Sequence, residues 1–319
     1  MRVVFAGTPD FAVPSLKALL KSSLVNLVAV YCQPDRPSGR GRKILPGPVK
    51  STAINAGIPV LQPAKINSLE AITQFQSLQP DLMIVVAYGA LLKKQHLDIP
   101  NFGCFNLHAS LLPRWRGAAP IQRAIEAGDS TSGVSLMRIV EELDAGPVLA
   151  QSKITLKKNA TGGWLHDQLA KMAADLLSEN LLVLTSQKLK EQPQNISHVT
   201  YASKLSKAES WLNWTDHAEQ IERRIRAFDP WPGSMIRIDG KTLKILQAST
   251  IFHPGSNTPG QILKVDQNGI IVQSGLGAIQ IEKLQKSGGK VMRVAEYLHG
   301  HSVRTGMLLD TANLAREIG

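Results

Sequence analysis

The sequence predicts a two-part chain: a doubly wound, mostly parallel α/β sheet over residues 1–189, and a small β-barrel of OB-like type over residues 206–319. Three observations carry this. Up to about residue 190, short β-rich apolar runs alternate with stretches of helical periodicity, the pattern of a parallel sheet covered by helices on both faces. Residues 190–205 are polar, periodic in neither sense and broken by Pro193, which marks a linker. Beyond them, short strand patterns follow one another at close turn signals, which suits a small barrel.

Taken in order, Val3 to Ala6, Leu27 to Cys32, Leu82 to Val86, Cys104 to Leu107 and Val134 to Ile139 read as strands. Phe11 to Lys21, Val49 to Ala56, Ser68 to Leu78 and Ala118 to Ala127 read as the helices between them, and Asn159 to Leu189 as a long closing helix. After the linker, one helix over Thr215 to Phe228 precedes strand patterns at Ser234 to Ile238, Thr242 to Ala248, Gly260 to Val265, Gly269 to Gln273 and Ile279 to Lys283.

Composition narrows the function classes. Hydrophobic residues make up 43% of the 319, enough for two ordinary packed cores and too much for a disordered chain. The longest apolar run, Leu82 to Leu92, is too short to cross a bilayer, which needs about 20 residues. Asp10 arrives too early for a secretory leader, so a cytoplasmic protein is expected. The two cysteines, Cys32 and Cys104, sit beside apolar segments and read as reduced and buried. No Cys or His cluster has metal-ligand spacing, so no metal is expected, and His299 and His301 read as solvated. The net charge of +11 suits a polyanionic partner without naming it.

Candidate chemistry concentrates at the ends of the predicted strands. The turn Gly7-Thr8-Pro9-Asp10 has one glycine where a dinucleotide fingerprint needs three, which disfavours a nicotinamide cofactor. In Phe105 to Gly117, FNLHASLLPRWRG, Asn106 and His108 lie two apart at the end of a strand and so share one face. Ligands of open α/β sheets bind beyond the carboxyl ends of the strands. A lone histidine beside apolar residues is more often a satisfied core side chain, but this one has company. Asp144, in VEELDAG, follows the Val134 to Ile139 strand, whose end is expected to bring the acid to the histidine. An amide donor, an imidazole and a carboxylate together suit acyl transfer.

Residues 33–48 form a second candidate: 16 residues with four prolines, three glycines, and the basic set Arg36, Arg40, Arg42 and Lys43. A loop this long inside a compact domain is commonly functional, and its cations can pair phosphates or base edges. A merely solvated basic loop is the alternative. The five tryptophans read as packing residues, with Trp115, between Arg114 and Arg116, as a possible frame for the cleft.

The segment FNLHASLLPRWRG with the later LDAG resembles the signature of the folate-dependent formyltransferases. FAGTPDFAVPSL, QPDRPSGRGRKILPGPVK, RGAAPIQRAI and RAFDPWPGS resemble, among these, the methionyl-tRNA formyltransferases, over nearly the whole chain. The resemblance implies catalysis by Asn106, His108 and Asp144, and a folate site at Ser110, Leu111, Leu112 and Pro113. It also implies initiator methionyl-tRNA as acceptor, with Arg36, Arg40, Arg42 and Lys43 on the tRNA, and 10-formyltetrahydrofolate as donor. A monomer without membrane attachment is expected. Two rivals remain: a formyltransferase acting on a nucleotide sugar, against which the Arg-rich loop speaks, and a non-catalytic tRNA-binding module, against which the intact Asn, His and Asp set speaks.

Overall fold

The computed structural model describes residues 1–38, 43–185, 190–255 and 257–309. The chain divides into two compact units, the first made of residues 1–120, 131–155 and 166–202, the second of residues 121–130, 156–165 and 203–319.

The first unit is built on a seven-stranded sheet. Its strands are β1 (Arg2–Gly7), β2 (Asn26–Tyr31), β3 (Val60–Leu61), β4 (Leu82–Val86), β5 (Cys104–His108), β6 (Thr131–Arg138) and β7 (Val148–Thr155), in the spatial order 3-2-1-4-5-6-7. The five strands from β3 to β5 pair in parallel; β6 and β7 join the edge antiparallel. The order reverses direction between β1 and β4, the place where open α/β sheets form their ligand crevice.

The helices are α1 (Val13–Lys21), α2 (Pro48–Asn55), α3 (Leu69–Ser77), α4 (Lys94–Leu97), α5 (Pro120–Ala127) and α6 (Gly162–Leu184). Local chemistry sets their starts. A proline occupies the first turn of α1 and of α2, where no backbone N–H is needed, and Ser68 Oγ caps α3 by accepting from Ala71 N at 3.3 Å. All five residues of β4 are buried, as a strand covered on both faces requires. On one face, Val4, Ala6, Ala29, Tyr31, Met83 and Val85 pack with Phe75 of α3, whose ring meets Tyr31 edge-on at 5.9 Å. Each large side chain so buried stabilises the unit by roughly 1.5–3 kcal/mol.

The expected strands and helices are present with shifts of a few residues, and the differences have local causes. The closing helix was expected from Asn159; it begins at Gly162, where Thr161 Oγ1 caps it by accepting from Trp164 N at 3.2 Å. Strands β3 and β7 are absent from the sequence-based expectation because they are the edge strands, and no residue of either Val60–Leu61 or VLAQSKIT is fully buried. The apolar alternation of β7 is too diluted to read. Both cysteines are free and buried, and burial pushes the Cys104 thiol up to about 12.

The second unit holds an antiparallel sheet: β8 (Ser234–Ile238), β9 (Lys241–Ile251), β10 (Ile262–Asp266), β11 (Gly269–Gln273), β12 (Ala278–Lys286) and β13 (Val291–Arg293), with α7 (Ala218–Ala227) and α8 (Val294–Leu298). The pairing path is 8-9-12-11-10, with β13 on β12. It is open among the described residues. Register shifts around Gln247 bend β9, the long strand that a curled sheet needs. One face of α7, with Ala218, Ile221 and Ile225, packs into a core completed by Trp214, Ile245, Ile279 and Ile281. Residues 121–130 belong to this unit electrostatically as well: Glu126 takes Arg123 at 2.8 Å and Arg224 at 2.9 Å, while Arg123 also holds Glu209 at 2.7 Å.

Residues 190–202, expected as part of a linker, fold into the first unit. Gln192 bridges Val148, and Tyr201–Ala202 pair in parallel with Arg116–Gly117.

Candidate active site

His108 is the last residue of β5, and Asn106 lies two before it on the same face. The imidazole is nearly buried. Its Nε2 lies 2.8 Å from the carbonyl oxygen of Trp115. A carbonyl only accepts, so Nε2 carries the proton that bonds it, and Nδ1 is the nitrogen left to face the rest of the site. Asp144 Oδ2 stands 3.6 Å from that Nδ1, with side chains only 7% and 12% exposed. At such burial the interaction of imidazole with carboxylate is little screened. The separation exceeds a hydrogen bond, so Nδ1 keeps its bonding capacity for a substrate atom. Asn106 is half-buried, and no hydrogen bond engages its side-chain amide among the described residues.

Asp144 reaches His108 by a route the sequence reading did not anticipate. β6 runs antiparallel to β5, with Phe105 opposite Arg138 and His108 opposite Ser135, so the carboxyl end of β6 lies at the wrong end of β5. Residues 139–147 carry the acid back. The turn is tight: Asp144 has φ +50°, and Gly146 comes so near the Arg138 carbonyl that a Cβ would sit 1.9 Å from its oxygen. Asp144 Oδ2 is oriented by the backbone N–H of Gly117 at 2.8 Å.

The stretch from Ser110 to Pro113 follows β5 and is pinned from β6 and β7. Ser135 Oγ donates to Ser110 O at 2.6 Å and accepts from Leu112 N at 3.0 Å; Gln151 Nε2 donates to Leu112 O at 3.0 Å and to Ser135 Oγ at 2.8 Å. Ser110 Oγ donates to Arg114 O at 2.6 Å, tightening the next turn. Leu112 is buried, while Leu111 and Pro113 keep part of their apolar surface open. The Arg114 guanidinium stacks over the Trp115 ring at 4.3 Å.

Of the basic loop, Arg36 is exposed; Arg40 and Arg42 lie outside the described residues, and Lys43 is described through its backbone, which pairs with Ser38. The base of the loop is anchored: Lys50 Nζ bonds Asp35 and, at 2.7 Å, Gln62 Oε1, while Gln62 Nε2 bonds Asp35 Oδ1 at 3.0 Å and Gln33 O at 2.9 Å. These donors, Lys50 first and Gln62 next, hold the Asp35 carboxyl below the usual carboxylate range. Among the described residues, no group of three His, Cys, Asp or Glu side chains converges as a metal cage.

A formyl transferase family model matches residues 1–181, and a model of the formyl transferase C-terminal domain matches residues 204–302. The chain belongs to the formyl transferase family. It is 49% identical over 300 residues to the methionyl-tRNA formyltransferase of Xylella fastidiosa (strain M23), covering 94% of this chain and 97% of that one. The methionyl-tRNA formyltransferase of Xanthomonas campestris pv. campestris (strain 8004) matches equally, at 49% over the same shares. Among solved structures, the N-formyltransferase of Helicobacter canadensis in complex with folinic acid and dTDP-3-aminofucose superposes with a TM-score of 0.64 at 20% identity. That match covers 88% of this chain and 98% of the other, and it shows the shared fold.

Several side chains around the site were missed from the sequence. Ser135, Gln151, Gln194 and Thr200 are common polar residues with no motif about them, and their partners lie 16 to 85 positions away. Only the antiparallel edge, had β7 been legible, would have pointed to Gln151.

Proposed function

We infer that this chain transfers the formyl group of 10-formyltetrahydrofolate to the amino group of methionine carried on initiator tRNA, and that it works in the cytoplasm as a monomer. The observation that carries the acceptor is the 49% identity to curated methionyl-tRNA formyltransferases, sustained over 94% of the chain and so through both family domains. The nearly buried His108–Asp144 pair at the end of β5 supports the chemistry.

In this reading the uncharged amine nitrogen bonds to the formyl carbon, and the bond from that carbon to the folate nitrogen then breaks. The oxygen of the tetrahedral intermediate takes hydrogen bonds from the Asn106 amide and from protonated His108 through Nδ1. One such donor is worth about 100- to 1,000-fold in rate. Asp144 complements the imidazolium and relays the proton that leaves the amine toward the folate nitrogen. The half-open apolar surface of Leu111 and Pro113, on a backbone pinned by Ser135 and Gln151, fits the flat ring of the donor. Ser110 and Leu112 complete that wall. Arg36, Arg40, Arg42 and Lys43 take the tRNA. The division of labour follows: residues 1–189 as the catalytic domain, 190–205 as a connection most of which folds onto that domain, and 206–319 as a tRNA-binding domain.

Formyl transfer measured on charged initiator tRNA, on elongator methionyl-tRNA and on a nucleotide sugar tests this. The initiator is expected to lead by a wide margin in kcat/KM. Equal rates on both tRNAs would keep the chemistry and remove the initiator specificity, and preference for the sugar would overturn the acceptor.

A further inference from the structure

Two turns with unfavourable backbone present the catalytic pair. Asp144 stands at φ +50° and Trp115, whose carbonyl fixes the His108 tautomer, at φ +64°. Non-glycine residues hold the left-handed region only where their surroundings over-determine it. In both turns the surroundings are supplied by one segment, residues 192–202, which sequence reading takes as a featureless linker.

Gln194 holds the first turn. Both hydrogens of its amide are spent on backbone carbonyls, that of the acid itself, Asp144 O at 2.8 Å, and that of Gly146 at 2.7 Å. Its Oε1 accepts from Arg116 Nε at 3.0 Å, and Arg116 in turn reaches Glu142 at 3.4 Å, on the far side of the same turn. Thr200 holds the second: its Oγ1 accepts from Trp115 N at 2.9 Å and its carbonyl from Arg116 N at 2.9 Å. The ladder of Tyr201–Ala202 on Arg116–Gly117 then sets the Gly117 N–H that orients Asp144 Oδ2. Gly117, at φ +116°, lies so close to this strap that a Cβ would meet Ala202 O at 2.8 Å. Among the described residues, every polar contact on the reactive atoms of His108 and Asp144 thus traces back to the strap within one step.

We propose that residues 192–202 are a catalytic strap, and that Gln194 is a positioning residue which fixes the Asp144 carboxylate against His108 by clamping the carbonyls of Asp144 and Gly146. It touches no substrate and acts only through Asp144. A misplacement of about 1 Å at a reacting group costs on the order of 100-fold in rate, so the loss should fall on kcat and leave binding alone. The proposal rests on the reading of Asp144 as catalytic.

The test is steady-state formylation of charged initiator tRNA by the full-length chain carrying Gln194→Ala or Gln194→Glu, alone and combined with Asp144→Ala, with thermal melting of each. Gln194→Glu keeps size and the Arg116 contact while deleting both donors and setting an acceptor against both carbonyls, and Gln194→Ala deletes the donors without that repulsion, so melting of the two variants separates loss of fold from loss of positioning. The expected result is a kcat about 30- to 100-fold lower for each single variant, KM for tRNA and for the formyl donor within about twofold, and no more than about threefold further loss when either is added to Asp144→Ala. Wild-type kcat in both Gln194 variants, or losses that simply multiply in the double variants, would overturn the strap. Wild-type kcat in Asp144→Ala would overturn the catalytic reading of Asp144 itself, and the strap with it, whereas a damaged Asp144→Ala beside an intact Gln194→Glu overturns the strap alone.

Discussion

His108→Ala and Asp144→Ala are each expected to lower turnover by about 100-fold or more, with folding and tRNA affinity nearly unchanged, because the proposed mechanism has both act on the transition state. Steady-state kinetics beside a tRNA binding curve check this; near-normal turnover in His108→Ala would remove the site assignment. Asn106→Ala should likewise lose more in turnover than in binding. Asp35 makes a different kind of claim. Its carboxyl is held below the usual range by Lys50 and Gln62, so its contribution to stability is present above the unfolded carboxylate value and is lost as pH falls through the lower folded one. Acid titration of stability should therefore be shallower in Asp35→Asn than in wild type, and identical acid limbs would refute the anchor. Asn106 and His108 were legible because the two-residue period of a strand is a local property. Asp144 was named from the strand end expected to deliver it, but that end points away from His108 and the acid arrives along residues 139–147 instead.

Changing Arg40, Arg42 and Lys43 together to alanine should sharply weaken formylation of initiator tRNA while leaving binding of a folate analogue intact. Loss of three phosphate contacts also makes the logarithmic salt dependence of tRNA binding shallower by roughly two to three units. If Arg42 reads a base edge, Arg42→Ala costs about 1–3 kcal/mol on the correct tRNA and relaxes discrimination against a mismatched one. Formylation of both tRNAs at two salt concentrations separates these outcomes, and an unchanged slope in the triple variant would show that the loop does not engage tRNA. On the turn after β5, Gly117→Ala is expected to lower both melting temperature and turnover, since the new Cβ meets a backbone oxygen at a conformation alanine resists. Strands β1, β2, β4, β5 and β6 were readable because apolar runs that fill a sheet core are dense; the edge strands β3 and β7 were not, because an edge strand needs no such density.

The two compact units do not coincide with a single cut in the chain. Residues 121–130 and 156–165 belong with 203–319, and Glu126 and Arg123 neutralise Arg224 and Glu209 there. A fragment of residues 206–319 therefore leaves half-buried charges unpaired, and we expect it to melt well below the full-length chain and to bind tRNA weakly and without sequence preference. Thermal melting and a filter-binding titration test both points; tight, initiator-selective binding by the fragment would overturn the proposed division of labour.

Periodicity, turn chemistry and motif spacing are written into neighbouring residues, so the order of the buried strands and longer helices, the two-part organisation and the Asn106–His108 pairing were readable from the chain alone. The antiparallel course of β6, the return of Asp144 along residues 139–147 and the folding of residues 192–202 over two unfavourable turns were settled only in three dimensions. The reason is physical. Gln194 meets Asp144 across 50 positions through a backbone carbonyl, a group every residue carries, so nothing in the local sequence distinguishes the glutamine that holds the acid from one that faces water.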